Sequence, residues 1–166
     1  MKLNTKRLCI RTLCENDWID MKRIFVDFNN SGYAIYDRPL PTEDNDVKAL
    51  VKLFADSNLF FTAHTSDENK MIGYVCFHKN GDNYDLGYCF HSAYHGKGYA
   101  YESVKALIEY IAQTYSISIF TAGTAIDNKP SCKLLEKLGF VCVSNETVSF
   151  DDSFTFQGGN FELKMN

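Results

Sequence analysis

The stretch that most constrains this chain is a short turn, His95-Gly96-Lys97-Gly98-Tyr99-Ala100, set between an aromatic strand and an amphipathic helix. Ahead of it, Tyr84 to His91 has strand character. Behind it, Val104, Leu107, Ile108 and Ile111 recur at i, i+3, i+4 and i+7, the spacing of one apolar helix face. The order strand, glycine turn, helix leaves the first N–H groups of the helix unpaired and facing outward, where the positive end of the macrodipole adds to them. Such an arrangement cradles an anion. Gly96 and Gly98 can take backbone angles closed to other residues and let a phosphate approach the chain, while Lys97 supplies a mobile cation beside it. Two familiar phosphate motifs fail on the residues. A dinucleotide fingerprint needs a third glycine where Tyr101 stands, and a P-loop needs Ser or Thr where Gly98 follows Lys97.

What the turn does resemble is the acyl-CoA pyrophosphate loop of the GNAT superfamily of N-acetyltransferases, whose pattern is Q/R-x-x-G-x-G/A. Gly98 and Ala100 fill its last two fixed positions, and His95 stands where the family has Gln or Arg. After a strand at Ile117 to Thr124, the run from Asn128 through Ser131 to Leu138-Gly139-Phe140 is similar to a second family motif, N-x-x-S followed by a short helix ending in L-G-F. Leu86-Gly87-Tyr88 and the opening Thr5-Lys6-Arg7-Leu8-Cys9-Ile10-Arg11 make the chain most similar to the RimJ/RimL-like branch, which acetylates protein N-termini or small amines. The resemblance spans nearly the whole chain and weakens over its last twenty or so residues.

The 166 residues suit one domain with a normal core, and no linker or repeat divides them. A hydrophobic content of 45% against 23% charged residues is that of an ordinary globular protein. No apolar run reaches the roughly 18 residues that a membrane span requires, and Met1 to Lys6 lack a signal-peptide core. A cytoplasmic protein is expected. Cys9, Cys14, Cys76, Cys89, Cys132 and Cys142 show no metal-binding or redox spacing and read as small reduced hydrophobes. A net charge of −4 without a basic block argues against nucleic acid and suits a cationic amine.

Along the chain, Arg7 to Leu13 alternates as a strand. Trp18, Met21, Phe25 and Phe28 share one face of a helix over Asn16 to Asn29, stopped near Gly32. Gly32 to Leu40 is irregular, and its Tyr33, Tyr36, Asp37 and Arg38 either line an acceptor site or form a surface loop. A second helix opens at Pro41-Thr42, with Thr42 as its cap and Val47, Leu50, Val51 and Phe54 as its buried stripe. Leu59 to Thr65, Met71 to Lys79 and Tyr84 to His91 then form an antiparallel meander. Phe140 to Ser144 and a stretch ending at Phe161 to Met165 read as the closing strands, with Gly158-Gly159 as a turn or bulge between them. The expected fold is α/β (α+β), a GNAT-like mixed, mainly antiparallel sheet of about seven strands flanked by about four helices.

The resemblance assigns roles residue by residue. It implies that acetyl-CoA lies along Tyr88, Cys89 and Phe90, with its diphosphate at His95, Gly96, Lys97, Gly98, Tyr99 and Ala100, and that Asn128 holds the pantetheine amide or a bridging water. Relatives carry a proton-donating tyrosine in the last helix where Leu135 stands here, and Ser131 is the substitute. Acetyl transfer to an amine also needs a group that takes the ammonium proton. Asp85, a lone acid in an apolar strand, is one reading of that base; a solvent-facing hairpin aspartate is the other. Asp151 and Asp152 are the fallback. His91 and His95 lack a third ligand, so no metal is expected. The expected function is acetyl-CoA-dependent N-acetylation of a primary amine, with a homodimer left open. A non-catalytic acyl-CoA-binding module and an unrelated phosphate-binding α/β protein are the competitors.

Overall fold

The computed structural model describes residues 1–151 and 154–165. Four α-helices flank one eight-stranded sheet: β1 (Lys2–Asn4), β2 (Leu8–Thr12), α1 (Trp18–Asn29), α2 (Asp44–Asp56), β3 (Phe60–Thr65), β4 (Met71–Asn80), β5 (Asn83–Phe90), α3 (Tyr99–Tyr115), β6 (Ile119–Ala125), α4 (Lys129–Leu138), β7 (Val141–Asp151) and β8 (Phe154–Lys164). The strand order is β1-β2-β3-β4-β5-β6-β8-β7. All neighbours are antiparallel except β5 and β6. The strand beyond the seven expected is the short β1, which pairs with β2 through Leu3↔Ile10.

Side-chain alternation divides the core between the two faces of the sheet. Tyr84, Leu86 and Phe90 of β5 join Val75 and Phe77 of β4 in a cluster with Val104, Leu107, Ile108 and Ile111 of α3 and Leu135 of α4. Met71, Tyr74 and Cys76 of β4 face the other way, against Met21, Ile24 and Phe25 of α1 and Val47 and Val51 of α2. The helical stripes read from sequence therefore face the core, with Ile24 added to that of α1 and Phe28 outside both clusters. Each fully buried side chain of this size contributes roughly 1.5–3 kcal/mol of transfer free energy.

Two local expectations are corrected. The N-cap of α2 is Glu43, with no side-chain cap bond, so Thr42 lies outside the helix. Gly158 and Gly159 do not separate the closing strands; both are buried inside β8, paired on one side with β6 and on the other with β7. A Cβ at Gly158 would meet the Val148 side chain at 2.8 Å, so glycine there reflects crowding within a continuous strand. The irregular stretch after α1 carries one 3-10 turn, Ala34–Tyr36, whose Tyr36 ring meets Phe156 of β8 edge-on at 5.3 Å.

Candidate active site

The parallel pair β5 and β6 is in register only at Tyr84↔Phe120 and Asp85↔Thr121. Beyond Asp85 the strands part, since β5 stays on the ladder of β4 to Phe90 while β6 stays on that of β8 to Ala125. The stretch Leu86 to Phe90 therefore offers its backbone N–H and C=O groups to a gap on the β6 side. Three groups of side chains lie along β5 and the turn that follows it.

On the α3/α4 face, Tyr88 and Ser131 form a hydroxyl pair, with Oη and Oγ 2.8 Å apart. Ser131 is free for this because Asn128 caps α4: Asn128 Oδ1 accepts the Ser131 N–H at 3.3 Å, leaving the serine hydroxyl outside the cap. Burial pushes the Tyr88 phenol up to about 12, against a smaller opposing effect of its bond to Ser131, so it stays protonated at neutral pH. Leu135, one turn further along α4, is buried in the core and carries no polar group.

Asp85 lies on β5 with the opposite alternation, half-buried rather than in open solvent, and its Oδ1 accepts the Thr121 hydroxyl at 2.9 Å. Burial raises its carboxyl above the ordinary value, opposed by the Thr121 bond and by His78, its cross-strand partner. A carboxyl pushed upward by burial is a better proton acceptor than one in water. Thr121 is a partner that sequence reading missed; only the register of the parallel pair brings it to Asp85. Asp152 falls outside the described residues, and Asp151 is the last residue of β7.

At the end of β5, a 3-10 turn at Ser92–Tyr94 leads into the glycine turn. Asp27 of α1 anchors it, accepting the Ser92 N–H at 2.7 Å and the Ser92 hydroxyl at 2.6 Å. Gly96 and Gly98 have φ of 72° and 79°, left-handed angles that favour glycine. Gly98 is the N-cap of α3, and the first helical bond is Glu102 N–H to the Gly98 carbonyl. The N–H groups of Tyr99, Ala100 and Tyr101 are thus the open donors of the cradle. The His95 Nε2 lies 2.6 Å from the Phe90 carbonyl. Lys97 Nζ donates to the Ala93 carbonyl at 3.0 Å. Phe90 and Cys89 point to opposite faces, Phe90 into the α3 cluster and Cys89 against the α1/α2 cluster, where burial pushes its thiol up to about 12.

Among the described residues the mixed sheet parts at its one parallel pair, and a glycine turn feeds a helix N-terminus beside the gap. The chain matches the family model described as the acetyltransferase (GNAT) domain over residues 7–141 and belongs to that family of N-acetyltransferases. It is 32% identical over 142 residues to the uncharacterized N-acetyltransferase YnaD of Bacillus subtilis (strain 168), covering 84% of this chain and 82% of that protein. Among solved structures, a GNAT-family acetyltransferase from Bacillus anthracis superimposes with a TM-score of 0.86 at 22% identity, over 99% of this chain and 98% of the other. RimL, a ribosomal L7/L12 alpha-N-protein acetyltransferase in complex with coenzyme A, gives 0.85 at 15% identity, over 99% and 98%. These structural likenesses concern the fold.

Proposed function

We propose that the protein transfers an acetyl group from acetyl-CoA to a primary amine, on a protein N-terminus or a small molecule, by direct attack within a ternary complex. One observation carries the reading: the gap beyond Asp85 has a carboxylate on one face, a hydroxyl pair on the other, and an anion cradle at its end. The residues fit coenzyme A. Gly96 and Gly98 leave no side chain over the cradle, and an added Cβ at Gly96 would meet nothing within 4 Å. The coenzyme held by the RimL structure supports the same assignment.

Bound acetyl-CoA supplies the acyl carbon and the thiolate leaving group. The open edge of Tyr88, Cys89 and Phe90 gives backbone partners for the pantetheine arm, and the N–H groups of Tyr99 and Ala100 bind the diphosphate. Asp85, directly or through water, takes the ammonium proton that would block attack. Ser131 returns a proton to the departing sulfur, and Tyr88, kept protonated by burial, resupplies Ser131 and fixes its rotor.

The acceptor is found by incubating the protein and acetyl-CoA with a mixture of amines and N-terminal peptides and analysing the products by mass spectrometry. A gain of one acetyl group on a member of the mixture supports the proposal. Tight coenzyme A binding with no acetylated product would favour a non-catalytic acyl-CoA module, consistent with Leu135 in place of a tyrosine.

A further inference from the structure

The two cationic or polar side chains that the sequence directs at the diphosphate, His95 and Lys97, are both engaged with nearby backbone carbonyls, those of Phe90 at the end of β5 and of Ala93. A third cation, 90 residues before Lys97, reaches the cradle from the β1–β2 turn. The Arg7 guanidinium donates from Nη1 to the Lys97 carbonyl at 2.9 Å and from Nε to Glu102 Oε2 at 2.7 Å. Its Cζ lies over the Tyr99 ring, 4.4 Å from the centroid. Nη2 has no hydrogen-bond partner among the described residues. It stands 3.4 Å from the point where a Cβ on Gly98 would be, beside the open N–H groups of α3. The side chain is 40% exposed, so that nitrogen is within reach of a ligand.

We infer that Arg7 is a phosphate ligand of the coenzyme A site, binding the diphosphate through Nη2 while its other nitrogens brace the glycine turn. The inference rests on the reading of this turn as a coenzyme A cradle. Guanidinium is suited to the task, because a planar fork can hold a carbonyl and a carboxylate and still present an N–H to a phosphate oxygen. Arg7 also removes an obstacle. Glu102, in the first turn of α3, would repel an anion at the helix start, but both its oxygens are occupied: Oε1 by the Thr5 hydroxyl at 2.6 Å and the Arg7 N–H at 2.9 Å, Oε2 by Nε. Burial would raise the Glu102 carboxyl, yet these bonds outweigh it and hold it below the ordinary value, so it is ionised at neutral pH. Loss of Arg7 would take away a donor and leave a carboxylate uncompensated beneath the anion.

The test is calorimetric titration of coenzyme A and of dephospho-coenzyme A, at several salt concentrations, into wild type, Arg7→Met and Arg7→Met/Glu102→Gln. Methionine keeps an apolar stem over Tyr99. Arg7→Met is expected to weaken both ligands by about 10-fold or more and by the same factor, with a shallower salt dependence, as for one lost phosphate contact. The double variant should recover only part of the loss. Wild-type affinity in Arg7→Met with a normal melt would reduce Arg7 to a loop brace and overturn the inference. A loss confined to coenzyme A would place the contact at the 3′-phosphate, and full recovery in the double variant would leave Glu102 neutralisation as its whole role; either overturns it. Where Arg7→Met fails to fold, Arg7→Lys is titrated instead: a several-fold loss is expected, and wild-type affinity contradicts the guanidinium role. A wild-type protein that binds neither ligand would sink the cradle reading itself, a result distinct from all of these.

Discussion

Replacing Ser131 with alanine removes one member of the hydroxyl pair and leaves the Tyr88 phenol without its partner at 2.8 Å. The stability cost is that of one partly buried neutral hydrogen bond, about 1 kcal/mol. The catalytic cost should be larger. A well-matched general acid contributes about 10²–10⁴-fold, and an alcohol, poorly matched to neutral pH, belongs at or below the lower end. We therefore expect kcat to fall about 10- to 100-fold, or roughly 1.4–2.7 kcal/mol of barrier, with the coenzyme A dissociation constant unchanged. Tyr88→Phe should match it, since the relay fails when either hydroxyl is missing. Members of one unit are not additive, so Ser131→Ala/Tyr88→Phe should be no slower than the worse single variant. The assay is initial-rate kinetics at saturating substrates, paired with calorimetry for the coenzyme. A wild-type kcat in Ser131→Ala would reduce Ser131 to a residue in the first turn of α4, and additive losses would show two hydroxyls acting separately.

Gly98→Glu should abolish measurable coenzyme A binding, because it forces a side chain into a left-handed position at φ 79° and adds a negative charge at the cradle; calorimetry on a variant with a normal melt checks this. Lys97→Ala should cost only a few-fold, as an exposed charge is screened and the backbone amides remain. Asp85→Asn should be slow at neutral pH and recover as pH approaches the amine's own pKa. A uniform loss at all pH values would indicate positioning instead. The folded pKa of Asp85 is raised, so its contribution to stability is present below the ordinary carboxylate value and lost as pH rises through the raised one. Asp85→Asn should accordingly raise the melting temperature at pH 7, and an unchanged or lower one would contradict the burial argument. Asp17 shows the opposite sign. Its side chain is 8% exposed; burial raises its carboxyl, but two bonds from Arg11 at 2.6 and 2.7 Å and the Cys14 N–H hold it below the ordinary value. Its stabilisation is present above the ordinary carboxylate pKa and lost as pH falls through the folded one. Asp17→Ala should cost about 3 kcal/mol at neutral pH and much less in acid, measured by denaturant titration.

The parts of this molecule that were legible in the sequence are those where local chemistry decides the outcome. Gly96 and Gly98 announced a left-handed turn, and the apolar spacing of Val104, Leu107, Ile108 and Ile111 announced which face of α3 is buried. The second motif placed Ser131 at the start of α4. What stayed hidden depends on register and on contacts distant in the chain. Thr121 meets Asp85 only because β6 runs parallel to β5 for two residue pairs. The sequence points to Tyr88 only for its backbone, and its hydroxyl meets Ser131 only through the packing of α4 against the sheet. His95 and Lys97 looked like anion ligands from their positions, but the carbonyls of Phe90 and Ala93 compete for them. Gly158-Gly159 reads as a turn or bulge because close packing between β7 and β8 has no sequence signature separate from turn chemistry.

The central claim is that the protein moves acetyl groups to amines, and the most direct measurement is release of coenzyme A thiol from acetyl-CoA, followed with a thiol-reactive dye after correction for the exposed Cys14 and Cys142. The account predicts release that depends on an added primary amine, saturates with it, and is lost in Gly98→Glu. Release that is independent of every amine, or none at all from a protein that binds acetyl-CoA tightly, would contradict it.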